Sequence, residues 1–314
     1  FSSLSHGVCN KSNIACLQWF YFYSYSLDTV KGKSEMKNLP KVSILISTYN
    51  GEKYIKEQLE SIVNQSYENC EIHLRDDGSS DKTVSIVKEF FENYPDRFFF
   101  YQGANLGAIG SFNYLISNVC SDLYATCDQD DIWLPNKIMD QVKAYKTNFS
   151  LDDSPFMCFS DPILYKNSIR SDISLSDVQL MNIRLLISSY KNLIAMNPVA
   201  GCTMLFCNNA KRLYSRAMGN GHIMHDHLMA VLVSLHGKIV FCNKEHVLYR
   251  QHDFNVLGNK DTSVRYFLNR LANIFSLLKH DLELLNTVNS NFIDKTAHIF
   301  RKVYLNVRRF GGFR

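Results

Sequence analysis

Hydrophobic and polar positions alternate along this chain in a way that predicts strand after helix after strand. Val42-Ser43-Ile44-Leu45-Ile46 is a short apolar run with the length of a strand. Residues 51–65 then place Ile55, Leu59, Ile62 and Val63 on one face of a helix. Glu71–Arg75 predicts a second strand, followed by a helix that carries Val84, Val87 and Phe91 and stops near Pro95. Asp81 stands where it can cap that helix. Phe98–Tyr101 predicts a third strand, 109–119 a third helix, and Leu123–Cys127 a fourth strand. Met224–Leu235 predicts a helix with Leu228, Val231, Leu232 and Leu235 inward, and Val247–Arg250 another strand.

This order predicts an α/β fold with a mostly parallel sheet and helices on both faces. Ligands of such sheets bind beyond the carboxyl ends of the strands. Three polar clusters fall at those ends: Ser47-Thr48-Tyr49-Asn50, Asp76-Asp77 and Asp128-Gln129-Asp130-Asp131. The stretch after the first strand, Ser47-Thr48-Tyr49-Asn50-Gly51-Glu52, is neither a GxGxxG fingerprint nor a Walker loop. A bound diphosphate would therefore need neutralising by a metal rather than by a nest of backbone amides.

Composition narrows the class. The 314 residues are 46% hydrophobic, enough for a sizeable core, and the net charge of +4 is too mild for general nucleic-acid binding. Nine cysteines form no CxxC pair, which argues against a disulfide framework or a zinc site and suits a reducing cytoplasm. No apolar run approaches the length of a membrane span.

The two ends differ from the middle. Residues 1–35 contain the aromatic run Trp19-Phe20-Tyr21-Phe22-Tyr23 and read as a non-native or disordered N-terminal extension. Met36 precedes the first strand, and Lys31-Gly32-Lys33 implies purine-rich codons upstream of it, so Met36 is the expected natural start. Residues 36–258 form the expected α/β domain and 259–314 a C-terminal helical segment, with a Leu-rich helix over 261–285. Within 295–314, six basic residues and no acidic one accompany Ile299, Phe300, Val303, Tyr304, Val307 and Phe310 at near-helical spacing. That is a basic amphipathic helix, either a contact with anionic lipid or a helix packed on the domain with its basic face in water.

The acidic run Asp128–Asp131 carries the most chemistry. Three carboxylates together repel one another unless a cation sits against them, and carboxylate oxygens suit Mg²⁺ or Mn²⁺. The alternative is a polar turn that ends a strand.

Taken together, these motifs resemble a bacterial family 2 glycosyltransferase of the GT-A fold over roughly residues 40–255. The resemblance rests on Val42–Gly51, Asp76-Asp77-Gly78-Ser79-Ser80-Asp81, Asn105-Leu106-Gly107, Asp128–Pro135, Gly201-Cys202-Thr203-Met204, His225-Asp226-His227 and Tyr249-Arg250-Gln251-His252. The Asp-Gln-Asp-Asp-Ile-Trp form is most similar to rhamnosyltransferase-like members that build cell-surface polysaccharides. The resemblance implies a nucleotide site of Ser47, Thr48, Tyr49, Asn50, Asp77, Asn105, Gly107 and Asp128. Asp77 would accept the imide N–H of uracil or thymine, while Asp76 would hold the loop. It implies a metal held by Asp130, with Asp128 facing either ribose or metal and His252 completing the site. Asp131 is either a metal ligand or a helix cap, and Arg250 either a phosphate partner or a surface charge. Asp226 would be the general base, at a helix start where a carboxylate is favoured. His225 departs from the acidic residue usual at the first position of that pair.

The implied activity is inverting, metal-dependent transfer of a sugar, with dTDP-rhamnose the leading donor. The acceptor would be a lipid-linked or polysaccharide glycan, and the location cytoplasmic, at the inner face of the plasma membrane if 295–314 meets lipid. Alternatives are the same fold using a UDP-hexose or UDP-N-acetylhexosamine, a glycoside hydrolase, and a catalytically silent nucleotide-sugar-binding subunit.

Overall fold

The computed structural model describes residues 39–148, 154–166, 169–178, 181–219, 223–252, 274–288 and 292–310. These lie almost wholly in the compact unit Lys41–Arg314. The expectations for residues 1–35, and for a helix over 261–273, lie outside the described residues.

The first four strands form where the apolar runs predict them: β1 (Val42–Thr48), β2 (Cys70–Asp76), β3 (Phe98–Gln102) and β4 (Leu123–Cys127). All pair in parallel, with β1 between β4 and β2 and β3 beyond β2. β1 and β4 sit inside the sheet, which is why they read as continuous apolar runs and not as alternating ones. The helix Ile55–Val63 buries Ile55, Leu59 and Ile62 as expected, and adds Gln58, whose amide reaches Cys127 Sγ at 2.7 Å. The N-cap position of the next helix, Thr83–Asn93, is Lys82 and not the expected Asp81, which stands one residue earlier and braces the helix start: its carboxylate accepts from Thr83 N at 3.0 Å and from the Thr83 hydroxyl.

The remaining strands are β5 (Ile132–Trp133), β6 (Phe156–Phe159), β7 (Ile163–Lys166), β8 (Ile169–Ser174), β9 (Leu205–Cys207), β10 (Lys238–Phe241) and β11 (Val247–Arg250). β9, β6 and β10 extend the main sheet past β4 to seven strands, and only β9 runs antiparallel to its neighbours. The second sheet has the order β5-β11-β7-β8. Its β5–β11 pairing is antiparallel, with Val247 opposite Trp133 and Leu248 opposite Ile132. Continuing that register sets Arg250 beside Asp130 and carries the chain onward to His252. The small sheet thus brings residues more than 100 positions apart to one edge of the acidic run.

Candidate active site

The site forms where β1, β2 and β4 end. At the end of β2, Asp76 and Asp77 are both buried. Asp76 organises its own loop: Oδ2 accepts from Gly78 N at 3.1 Å and Ser79 N at 3.0 Å, and Oδ1 from the Ser79 hydroxyl at 2.5 Å. Thr48 turns its hydroxyl inward to Asp76 at 3.2 Å, so it ties β1 to this loop and does not face the cleft with that group. Asp77 pairs with the Arg75 guanidinium and accepts from Leu106 N at 2.9 Å. Arg75 also donates to Ser111 Oγ and Ala104 O, which fixes the following loop. In that loop Asn105 Oδ1 accepts from Gly107 N, and Gly107 has φ +72°, a conformation only glycine adopts cheaply.

The loop after β1 leans on the same neighbours. Asn50 has φ +48°; its amide N–H donates to Ser79 Oγ and its side-chain oxygen accepts from Ser80 N. Tyr49 is half exposed at the mouth of the cleft, and Ser47 is partly buried behind it. Gln129, given no role in the sequence reading, clamps Tyr49: its Oε1 accepts from Tyr49 N at 2.9 Å and its Nε2 donates to Tyr49 O at 3.1 Å. Gly51 leaves room for that clamp: a Cβ there would lie 2.3 Å from Gln129 Oε1 and push the amide off Tyr49.

The acidic run itself divides. Asp131 is fully buried; its Oδ1 accepts from Arg250 N at 3.1 Å, and the Cys202 thiol donates to the same carboxyl. It therefore locks β11 to the run, and the expected helix-cap role is absent: the helix Lys137–Asn148 starts six residues later. Asp130 meets His252, Oδ2 to Nε2 2.8 Å, and the His252 ring stacks on Tyr54. Arg250 donates from Nε to Asp130 O at 2.7 Å and pairs with Glu57 at 2.5 Å, between the rings of Tyr54 and Tyr165. It buttresses the acidic loop. Asp128 is half-buried, and desolvation, then Asp130, then Asp226 raise its pKa. Burial, then Asp130 and Asp128, raise that of Asp131 well above the carboxylate range.

Asp226 sits in the first turn of the helix His225–His236, which Met224 precedes. It accepts from His227 N at 2.6 Å and from the amide of Gly201. Burial outweighs these bonds and pushes its pKa up to about 6. His225 is buried against Phe112, with no hydrogen-bond partner on either ring nitrogen among the described residues, and burial pulls its pKa down to about 3. A neutral imidazole thus stands beside Asp226 in the chain and adds no charge against it.

The turn Gly201–Thr203 joins the two halves of the site. Its Gly201 O accepts from Thr126 on β4 at 2.6 Å, its Gly201 N–H serves Asp226, and its Cys202 serves Asp131. A Cβ on Gly201 would lie 2.8 Å from His225 Nε2. The motif is visible in the sequence, but nothing local signals that it bridges the acidic run to Asp226.

A model of the glycosyl transferase family 2 domain matches residues 43–214, more than half the chain and every strand end that builds this cleft except β11. The chain belongs to glycosyl transferase family 2. A Bacillus subtilis (strain 168) protein that bears the name glycosyltransferase EpsE is 38% identical over 108 residues, 34% of this chain and 39% of that protein. A Haemophilus influenzae protein named only as an uncharacterized glycosyltransferase is 39% identical over 103 residues, 33% of this chain and 32% of its own. The matches thus span about a third of these curated family members. Among solved structures, S. aureus TarS 1–349 in complex with UDP-GlcNAc superposes with TM-score 0.56 at 17% identity, covering 87% of this chain and 73% of that one. The mannosyltransferase PcManGT of Pyrobaculum calidifontis, in complex with GDP-Man and Mn²⁺, gives 0.57 at 15% identity, covering 87% and 72%. At these identities the likeness is one of fold.

A divalent cation fits part of the family site as it stands. Asp130 Oδ2 and His252 Nε2 are hydrogen-bonded to each other at 2.8 Å, and both are of ligand type for a divalent ion that would replace the proton between them. Asp128, raised by burial and then by Asp130 and Asp226, would gain from a positive charge beside it. A three-residue group among the described residues, with ligand atoms within 4.8 Å of one another, is Asp128, Asp131 and Cys202. Burial raises the Cys202 thiol well above its ordinary pKa, so it stays protonated and belongs to the hydrogen-bonded frame.

Proposed function

We propose that this family 2 chain is an inverting glycosyltransferase that moves a sugar from a nucleoside-diphosphate donor to a hydroxyl of a lipid-linked or polysaccharide glycan. The observation that carries this reading is the buried carboxylate of Asp226, with a pKa near 6, close enough to the acidic run to act on Asp128. A general base works best with a pKa near the operating pH. Asp226 would take the proton of the acceptor hydroxyl as that oxygen attacks the anomeric carbon. The amides of His227 and Gly201 would hold its carboxylate in place meanwhile.

The donor's base would lie between Tyr49 and the loop Asn105–Gly107, read by Asp77, with Ser47, Thr48 and Asn50 shaping the loop behind it. Asp128 would face the ribose or the metal. Asp130 and His252, with Asp128, would hold Mg²⁺ or Mn²⁺, which when bound offsets the charge on the leaving diphosphate. The favoured donor is dTDP-rhamnose, on the resemblance of Asp128–Trp133 to rhamnosyltransferase-like members. The second reading is a UDP-hexose or UDP-N-acetylhexosamine, favoured by the UDP-GlcNAc complex among the fold neighbours.

Asp226→Asn tests the reading. The expected result is a loss of transfer of roughly 100-fold or more, with nucleotide-sugar affinity by calorimetry kept within about twofold of the parent. Transfer at the parental rate would remove Asp226 as base. A thermal-shift series over dTDP-rhamnose, UDP-glucose and UDP-GlcNAc with Mn²⁺ ranks the donors, and a larger shift with a UDP-sugar replaces rhamnose.

A further inference from the structure

The last described helix, Phe292–Phe310, has two unlike faces. Its inner face is buried and polar as well as apolar. His298 meets Asp281 at 2.7 Å, Lys302 pairs with the same carboxylate, and Leu305 packs with Leu186, Ala195 and Met196. Asp281 lies on the preceding helix, Ile274–Thr287, next to His280. His280 Nε2 lies 3.2 Å from His227 Nδ1, and His227 follows Asp226 on the candidate catalytic helix. A continuous set of buried contacts therefore ties the last helix to the helix that carries the base.

The outer face is apolar and open. Ile299, Val303 and Val307 recur every four residues, with Phe300 and Tyr304 in the adjacent row, so the five share one stripe. All are exposed, Phe300 by 78% and Val307 by 61%. A stripe of this size left in water marks a contact surface. Lys295 borders it on one side and Arg301 and Arg308 on the other, by helical spacing. Neither Lys295 nor Arg301 pairs with a carboxylate among the described residues, and 295–310 contains no Asp or Glu.

We propose that this outer face docks on an anionic lipid bilayer, the helix lying flat with its stripe in the headgroup boundary and its basic rims on the phosphates. Charge complementarity selects this occupant. A second copy packed stripe to stripe would bring the same cationic rims together, which is unfavourable. Spanning is not available, since no described helix is long and apolar enough to cross a membrane. The helix is about 28 Å long, and its buried ties to His227 would hold the cleft at a set orientation to the lipid surface. The proposal stands without the donor assignment.

Flotation of the full chain tests it, with vesicles of equal parts phosphatidylglycerol and phosphatidylcholine and with phosphatidylcholine alone. Binding is expected to the anionic vesicles, to weaken at least about tenfold on neutral ones, and to fall steeply with salt. A combined Phe300→Ser, Val303→Ser, Val307→Ser variant, and separately Lys295→Glu with Arg301→Glu, are each expected to lose about tenfold or more. All these side chains lie outside the core, so the melting temperature should stay put. If the parent ignores both vesicles, or the serine variant binds as the parent does, the proposal is wrong. Sedimentation showing a parental dimer that the serine variant abolishes, with vesicle binding unchanged, would instead assign the stripe to a second copy.

Discussion

Two acidic clusters sit at neighbouring strand ends, and they are built in opposite ways. At Asp76–Asp77 every contact given supplies hydrogen to the carboxylates: two backbone amides and two hydroxyls on Asp76, and Arg75 with the Leu106 amide on Asp77. At Asp128–Asp131 the carboxylates face one another. Asp128 and Asp131 are both pushed up, Asp226 adds to the repulsion on Asp128, and the donors given are the Arg250 amide and Cys202 on Asp131 and His252 on Asp130. The first cluster is a structural cup in which both contacts given for Asp77 fall on Oδ1. The second has an electrostatic demand that a cation from outside would meet. In a folded protein the identity of acidic residues says little; the donors arranged around them decide whether they hold a loop or await a ligand.

The largest effect should come from breaking the finished cluster. Arg75→Met leaves the buried Asp77 without its cation, a change expected to cost about 3–5 kcal/mol. That corresponds to a fall of roughly 6–20 °C in melting temperature for a chain of this size. A melting temperature unchanged by Arg75→Met would mean that the cup is not what holds the loop.

Removing a member of the crowded cluster should act on ligand and hardly on fold. Asp130→Ala is expected to shift stability by no more than about 1 kcal/mol, as for a partly exposed pair. Its Mn²⁺-dependent affinity for a nucleotide sugar should fall at least about tenfold. Chelator should weaken donor binding in the parent and leave the variant where it is. A variant that melts far below the parent while binding donor normally would reverse the contrast between the two clusters.

The smallest effect sharpens the base assignment. Asp226 must be ionised to accept a proton, and its carboxyl is raised to about 6. The acidic limb of kcat/KM should therefore fall tenfold per pH unit below about 6 and flatten above it. An ordinary carboxylate would place that bend near pH 4, so a profile flat down to pH 5 would show that burial does not set the value.

The strand–helix alternation from Val42 to Cys127 was legible because it is local: each element carries its own apolar period and its own stop signal. Asp81 bracing the start of its helix and Asp76 holding its loop follow from the same short-range chemistry. The expected helix cap at Asp131 failed for the converse reason. Its partner is the Arg250 amide, 119 residues away, delivered by the pairing of β5 with β11. Gln129 escaped notice because an amide between three carboxylates carries no motif; only the approach of Tyr49 and Gly51 gives it a clamp to make.

By itself the sequence determined an α/β chain with three polar strand ends and a carboxylate at the start of a late helix. Periodicity and cap chemistry depend on neighbours in the chain. Tertiary structure alone decided which acid is a lock, which carboxylates crowd one another, and that Gly201–Thr203 joins the acidic run to Asp226. Those outcomes depend on desolvation and on partners brought across sheet pairings, and burial strengthens the interaction between the charges it encloses.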